Sequence, residues 1–137
     1  NIKKKHPVHI FRFKSFKIHV KGTKHAFIII RGEQFLKKVL KKTQTVIKWA
    51  KDGEEALDQA IHSPGIDLIL MDIKMPVMDG MEAAKRIKEH NPAQKIIAQT
   101  AYARPEEKSK FFNENFYDYI SKPIDPSNLL EILEKYL

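Results

Sequence analysis

The chain has no cysteine, which excludes a disulfide framework and any thiolate metal site. It also has no long apolar run. Ala26 to Ile30 and Leu68 to Met71 are the longest, at five and four residues, far below the roughly 20 that a membrane-spanning helix needs. The pattern of a secretory leader (basic start, apolar core, small-residue cleavage site) is missing, and no internal repeat or low-complexity tract interrupts the chain. A soluble, cytoplasmic protein of a reducing compartment is the expectation. Acidic residues are missing from positions 1–24, which carry Lys3, Lys4, Lys5, Arg12, Lys14, Lys17, Lys21 and Lys24. The other 113 residues set 17 basic side chains against 17 acidic ones. The net charge of +8 therefore belongs to a basic arm, residues 1–25, in front of a charge-balanced domain, residues 26–137. A domain of that size has room for one sheet with helices on both faces.

Within the arm, Phe11 and Phe13 alternate with basic residues, and after Ser15 the apolar set moves to Phe16, Ile18 and Val20. Alternation with a period of two argues for extended structure. The phase slip at Lys14-Ser15 is what a bulge or tight bend produces. Basic residues interleaved with aromatics are also the footprint of single-stranded nucleic-acid binding. A half-buried hairpin, or the tail of a preceding domain, is the preferred reading, because these aromatics share a face with aliphatics that favour burial. The arm is the only hint of nucleic acid, and no membrane partner is expected.

From Ala26 the rhythm changes to alternating strands and helices. Strands are expected at Ala26–Ile30, Thr45–Trp49, Leu68–Met71, Lys95–Gln99 and Phe116–Ile120. Helices are expected at Glu33–Lys42, Asp52–Ser63, Gly80–His90 and Pro105–Asn115, with a last one capped by Asp125 and opened by Pro126. Asp52 with Glu55 three residues on is a capping-box variant. Five such β–α units imply an α/β fold, a doubly wound five-stranded parallel sheet with helices on both faces.

In a parallel sheet the C-terminal strand ends share one edge, where open α/β folds place ligands and chemistry. The third strand runs into Asp72, the fourth into Thr100 and the fifth into Lys122. In sequence these are separated by 28 and 22 residues. Singly each is bland: an acid after a strand often caps a loop, a threonine there is usually a loop residue, and Lys-Pro is usually a turn. Together they supply a carboxylate nucleophile, a hydroxyl donor and an ammonium, the parts that phosphoryl transfer to a side chain calls for.

From Ala26 to Leu137 the chain resembles the receiver domain of two-component response regulators, particularly the receivers of hybrid histidine kinases. The resemblance rests on Asp72 with Met75-Pro76-x-x-Asp79-Gly80, on Thr100-Ala101, and on Lys122-Pro123 with Tyr119 three residues before the lysine. It implies a flavodoxin-like strand order of 2-1-3-4-5. It implies a signalling module, not an enzyme beyond its own phosphorylation and dephosphorylation, within a phosphorelay: Asp72 as phospho-acceptor, charged by a histidine kinase or histidine phosphotransfer protein. Thr100 and Lys122 would grip the phosphoryl oxygens, and Tyr119 would be the switch aromatic. The face made by the fourth helix, fifth strand and fifth helix would change shape and could pair two copies as a homodimer. A Mg²⁺ cofactor would be held by Asp72 and the backbone carbonyl of Lys74. No output domain follows Leu137, so a single-domain or excised receiver is the expectation.

One departure stands out. Receivers end their first strand with an acidic pair that holds the Mg²⁺, whereas here Arg31-Gly32-Glu33 follows Ile30. Only Glu33 remains as a third candidate ligand, and the stretch from there to Asp72 is about one helical turn short of the family's length. Mg²⁺ favours near-octahedral oxygen coordination with one or two carboxylates, so this set is thin. The alternative is a degenerate, receiver-like docking module with impaired Mg²⁺-dependent phosphorylation. The remaining singular residues have bland readings. The six histidines show no metal spacing, Met71, Met75, Met78 and Met81 pack around the acceptor loop, and Trp49 is core.

Overall fold

Two strands whose five residues are all buried set the centre of the structure. These are Leu68–Asp72 (β5) and Ile96–Thr100 (β6), and strands buried on both faces are the mark of a parallel sheet covered by helices. The computed structural model describes residues 8–13, 16–21, 26–30, 35–41, 46–63, 65–75, 77–101 and 115–137. In chain order the other elements are β1 (Val8–Phe13), β2 (Phe16–Lys21), β3 (Ala26–Ile30), α1 (Phe35–Lys41), β4 (Val46–Ala50), α2 (Gly53–His62), α3 (Gly80–His90), β7 (Asp118–Ser121) and α4 (Pro126–Tyr136).

Strands β3 to β7 form one parallel sheet in the order β4-β3-β5-β6-β7, the 2-1-3-4-5 arrangement expected for the five repeating units. The chain first steps outward from β3 to β4, then returns past β3 and builds the other way. The ends of β3 and β5 therefore flank the point where the winding reverses, the natural crevice of this architecture. β1 and β2 form a separate antiparallel pair, with Phe13 opposite Phe16. The phase slip seen in the sequence thus coincides with the connection between two strands; Lys14 and Ser15 themselves lie outside the described residues.

The two-residue period of the strands divides the core into two layers. Leu68, Leu70, Ile97 and Ile120 pack with Leu36 and Leu40 of α1 and Leu129, Leu130 and Leu133 of α4. Ile69, Met71, Ile96 and Ala98 pack on the opposite face with Ala56 of α2 and Ala83, Ala84 and Ile87 of α3. Burial of these side chains stabilises the fold by about 1.5–3 kcal/mol for each Leu or Ile. Three aspartates start three helices: Asp52 Oδ1 accepts from Glu55 N (2.8 Å), Asp79 Oδ1 from Glu82 N (2.9 Å) and Asp125 Oδ1 from Ser127 N (2.9 Å). Each satisfies a backbone donor that the first turn leaves unpaired.

Several local expectations are corrected. The last strand is Asp118–Ser121 rather than Phe116–Ile120, because Phe116 turns into the α2–α3 layer before the ladder begins. The helical period of Gly80–His90 marks Met81, Ala84, Ile87 and Lys88 as a thin stripe, but the buried residues of α3 are Gly80, Ala83, Ala84 and Ile87; the Lys88 ammonium donates to the carbonyls of Pro92 and Gln94 at 2.6 and 3.1 Å. Ile61, which follows the helical spacing of Ala56, Leu57 and Ala60 on α2, is exposed. Trp49 is only partly buried, with the Lys37 ammonium 5.3 Å from its ring centre. The helix expected over Pro105–Asn115 falls on residues of which only 115 is described.

Two glycines are required by close approach of backbone. A Cβ on Gly80 would overlap the Asp72 carbonyl oxygen, and one on Gly53 would lie 2.5 Å from the Met78 carbonyl oxygen. The N-termini of α2 and α3 are thus pressed against the loop that follows Asp72. Gly80 N donates to Ile73 O at 2.9 Å, closing that loop.

At the opposite edge of the sheet a polar network holds α4. The Tyr136 hydroxyl lies 2.9 Å from Asp118 Oδ2 and 3.0 Å from Tyr117 O, and as a single donor it serves one of them at a time. Lys95 Nζ donates to Tyr136 O at 2.6 Å, and the Tyr117 and Tyr136 rings meet edge-on at 5.9 Å. Burial, then the hydrogen bond to Asp118, raises the Tyr136 pKa above its ordinary 10. Lys135 beside it is raised as well, first by its hydrogen bond with Tyr136. A group that holds its proton more tightly when folded contributes stability below its unfolded pKa and loses it as pH rises through the folded value.

Stability is therefore expected to fall above about pH 10 in urea unfolding curves. Tyr136→Phe should flatten that fall and lower neutral-pH stability by about 0.5–1.5 kcal/mol. Gly80→Ala should destabilise by about 1–3 kcal/mol from the forced overlap, whereas Ile61→Ala, on the surface, should stay within about 0.5 kcal/mol of wild type.

Candidate functional site

Asp72 is the last residue of β5 and is only 6% exposed. A carboxylate that far from water needs partners, and among the described residues it has two. Lys122 Nζ lies 2.5 Å from Oδ2, and the Lys74 backbone N–H donates to Oδ1 at 3.2 Å. The pairing follows from the strand period. Asp72 continues the alternation of Leu68 and Leu70, and Lys122, just past β7, stands two residues after Ile120; all three of those apolar residues pack in the α1–α4 layer. The Lys122 side chain is one-third exposed, so its ammonium bridges the buried acid and solvent.

Thr100 ends β6, the strand between Asp72 and Lys122, and is buried. Its carbonyl accepts from Lys122 N at 2.8 Å, so the backbone carrying the ammonium is tied to the backbone carrying the hydroxyl. The Lys122–Pro123 peptide bond is cis. Tyr119 lies opposite Ala98 on the other face, partly buried in the α2–α3 layer. With Ile120, Ser121, Asn128, Glu131 and Ile132 it lines a recess of about 210 Å³ between β7 and α4. The structure therefore brings Asp72, Lys122 and Thr100 to one edge of three adjacent strands, with Tyr119 three residues before Lys122 on β7 and packed on the α2–α3 side.

The loop above the acid exposes Lys74, Val77 and Asp79. Val77 has φ 69°, a left-handed conformation that costs a β-branched residue energy, and its apolar side chain is almost fully in water. Gly53, Val77 and Gln99 are the residues near Asp72 that sequence reasoning passed over. Of these only Gln99, a polar residue inside an apolar strand, carried a readable signal.

The remaining metal candidates, Glu33 with its neighbours Arg31 and Gly32, lie outside the described residues. Among the described residues, no group of three or more His, Asp or Glu side chains is placed to hold a metal ion. Among the described residues, Asp72 is the one carboxylate of the predicted ligand set, and it already faces the Lys122 ammonium. The described residues alone do not compose a divalent-cation site. No helix among the described residues is long and apolar enough to cross a membrane.

Comparison with known proteins agrees with this fold. The response regulator receiver domain family matches residues 32–134. Over 113 residues the chain is 39% identical to hybrid signal transduction histidine kinase I of Dictyostelium discoideum, covering 74% of this chain and 6% of that protein. It is 40% identical over 84 residues to two-component response regulator 24 of Arabidopsis thaliana, covering 61% of this chain and 60% of that one. The chain thus spans less than two-thirds of either relative. Among solved structures, the receiver domain of sensor histidine kinase PA1611 from Pseudomonas aeruginosa, crystallised with a magnesium ion in its active-site cleft, superposes with a TM-score of 0.74. That likeness, at 24% identity over 83% of this chain and 98% of that one, speaks to the fold. The chain belongs to the response regulator receiver domain family of two-component signalling.

Proposed function

We propose that the chain is a phospho-acceptor switch in a phosphorelay, in which Asp72 takes a phosphoryl group from a phosphohistidine of a kinase or phosphotransfer protein. The observation that carries this reading is the buried Asp72 carboxylate held by Lys122 at a solvent-facing strand end. A carboxylate oxygen of Asp72 attacks the phosphorus. The P–N bond to the imidazole breaks as the P–O bond forms, and the imidazole leaves with the electron pair and takes up a proton from solvent. Negative charge then moves from the carboxylate onto the phosphoryl oxygens. Lys122 follows it outward, which its partial exposure permits, and the Thr100 hydroxyl donates to a second phosphoryl oxygen.

Family membership brings the expectation of Mg²⁺, which would shield the phosphoryl charge. Its ligands here would be Asp72, the Lys74 carbonyl and Glu33. The step above rests on Lys122 and not on the ion. Movement of Thr100 toward the phosphoryl group would open space for Tyr119, altering the β7–α4 recess and the face it borders. That face is where a partner, or a second copy of the chain, would dock.

A second reading, a receiver-like docking module that no longer takes phosphate, is favoured by one observation: Arg31-Gly32 follows Ile30 where receivers carry an acidic pair. Incubation with acetyl phosphate and Mg²⁺ followed by intact-mass analysis separates the two. The switch reading expects one added phosphate on the wild type, none on Asp72→Asn, and labelling slowed at least tenfold in Lys122→Met, a loss of about 1.4 kcal/mol or more of transition-state stabilisation. An unlabelled wild type, alongside a labelled control receiver, overturns it in favour of the docking module.

A further inference from the structure

Gln99 precedes Thr100 on β6 and is 1% exposed, and its side-chain amide nitrogen has no hydrogen-bond partner among the described residues. An unpaired buried donor is destabilising, and a leucine or methionine would fill the same space without that cost. Toward the interior of the α1–α4 layer its described neighbours are apolar, Ile97 on its own strand and Leu70 and Ile120 on the strands either side, and only toward the strand end does it meet Asp72. Nothing in the packing calls for an amide there.

The register gives the amide a purpose. Gln99 is the direct parallel partner of Asp72 on one side and of Ile120 on the other. Paired residues on adjacent parallel strands point to the same face and sit about 5 Å apart. The alternation Leu68, Leu70, Asp72 on β5 and Ile97, Gln99 on β6 puts both side chains on the face that also carries Lys122. Three rotatable bonds let the Gln99 amide reach the carboxyl group of Asp72. In the resting state that carboxyl has its oxygens engaged by Lys122 and the Lys74 N–H, and the amide is left over.

Phosphorylation changes the count. Asp72 becomes an acyl phosphate, and the lysine is drawn to the new phosphoryl oxygens, leaving the carbonyl oxygen without its ammonium. We propose that Gln99 then donates its amide N–H to that oxygen and sets how long the phosphoryl group stays on Asp72. The inference rests on the phospho-acceptor reading above and adds a residue to it.

The direction of the effect follows from charge. In hydrolysis a water oxygen attacks phosphorus, the bond between phosphorus and the carboxyl oxygen breaks, and the carboxylate leaves with the electron pair while the water's proton goes to solvent. Negative charge grows on both carboxyl oxygens as that bond breaks. A donor on the carbonyl oxygen stabilises the departing carboxylate more than the neutral acyl phosphate. Gln99 therefore shortens the phosphorylated lifetime.

The test is to load wild type, Gln99→Met and Gln99→Leu with acetyl phosphate, remove the donor and follow loss of phosphate by intact mass. Methionine keeps the length of the side chain without the N–H; leucine serves if the methionine variant does not fold. The expected result is a lifetime lengthened by about threefold to tenfold, the worth of one hydrogen bond, with a melting temperature equal to or above that of the wild type. Lifetimes unchanged or shortened in the variants, with the wild type labelled, overturn the role of Gln99 and leave the acceptor reading standing. A wild type that takes no label overturns both.

Discussion

The contact between Asp72 and Lys122 is the constraint on which the rest of the site depends. A carboxylate buried this far at the end of a central strand is tolerable only beside a compensating charge and a backbone donor. The fold supplies the first from a strand two places away and the second from the turn that follows. Because β6 lies between them, the pair also measures the sheet: any slip of β7 by one residue would send the ammonium to the opposite face. The register that buries Ile120 is the same register that neutralises Asp72. Packing and chemistry are set together.

The placement of Thr100 and Tyr119 makes the same point from the other layer. Thr100 stands at the edge, joined through its carbonyl to the backbone of Lys122, while Tyr119 leans on the α2–α3 side of the sheet. A change at the carboxylate can thus reach both layers through the three strand ends, without a separate element to carry it. Gln99 lies between these groups as the single uncommitted donor among the described residues of β6, and a group left uncommitted in one charge state is available to the other.

Much of this was legible in the sequence because it is encoded in local pattern. The burial of β5 and β6 follows from Leu68-Ile-Leu-Met71 and Ile96-Ile-Ala98, and the helix starts follow from Asp52, Asp79 and Asp125. The convergence of Asp72, Thr100 and Lys122 needed only the rule that parallel strands share an edge. What was not legible depends on distances between segments. Ile61 fits the helical period of α2 yet faces water, since only the neighbouring strand decides which side of a marginal stripe is covered. Phe116 has the composition of a strand but spends its side chain in the core one step before the ladder begins. The lone position of Gln99 beside the acid required the register of three strands, which no single segment reveals.

Gly53 and Gly80 have a consequence for how this chain can vary over time. Neither is held by an unusual backbone angle; each is held by a carbonyl oxygen, of Met78 or of Asp72, standing where a methyl group would be. Even alanine, the gentlest replacement for glycine elsewhere, is therefore a collision here, and a lineage that altered either position would have to rebuild the acid's surroundings in the same step.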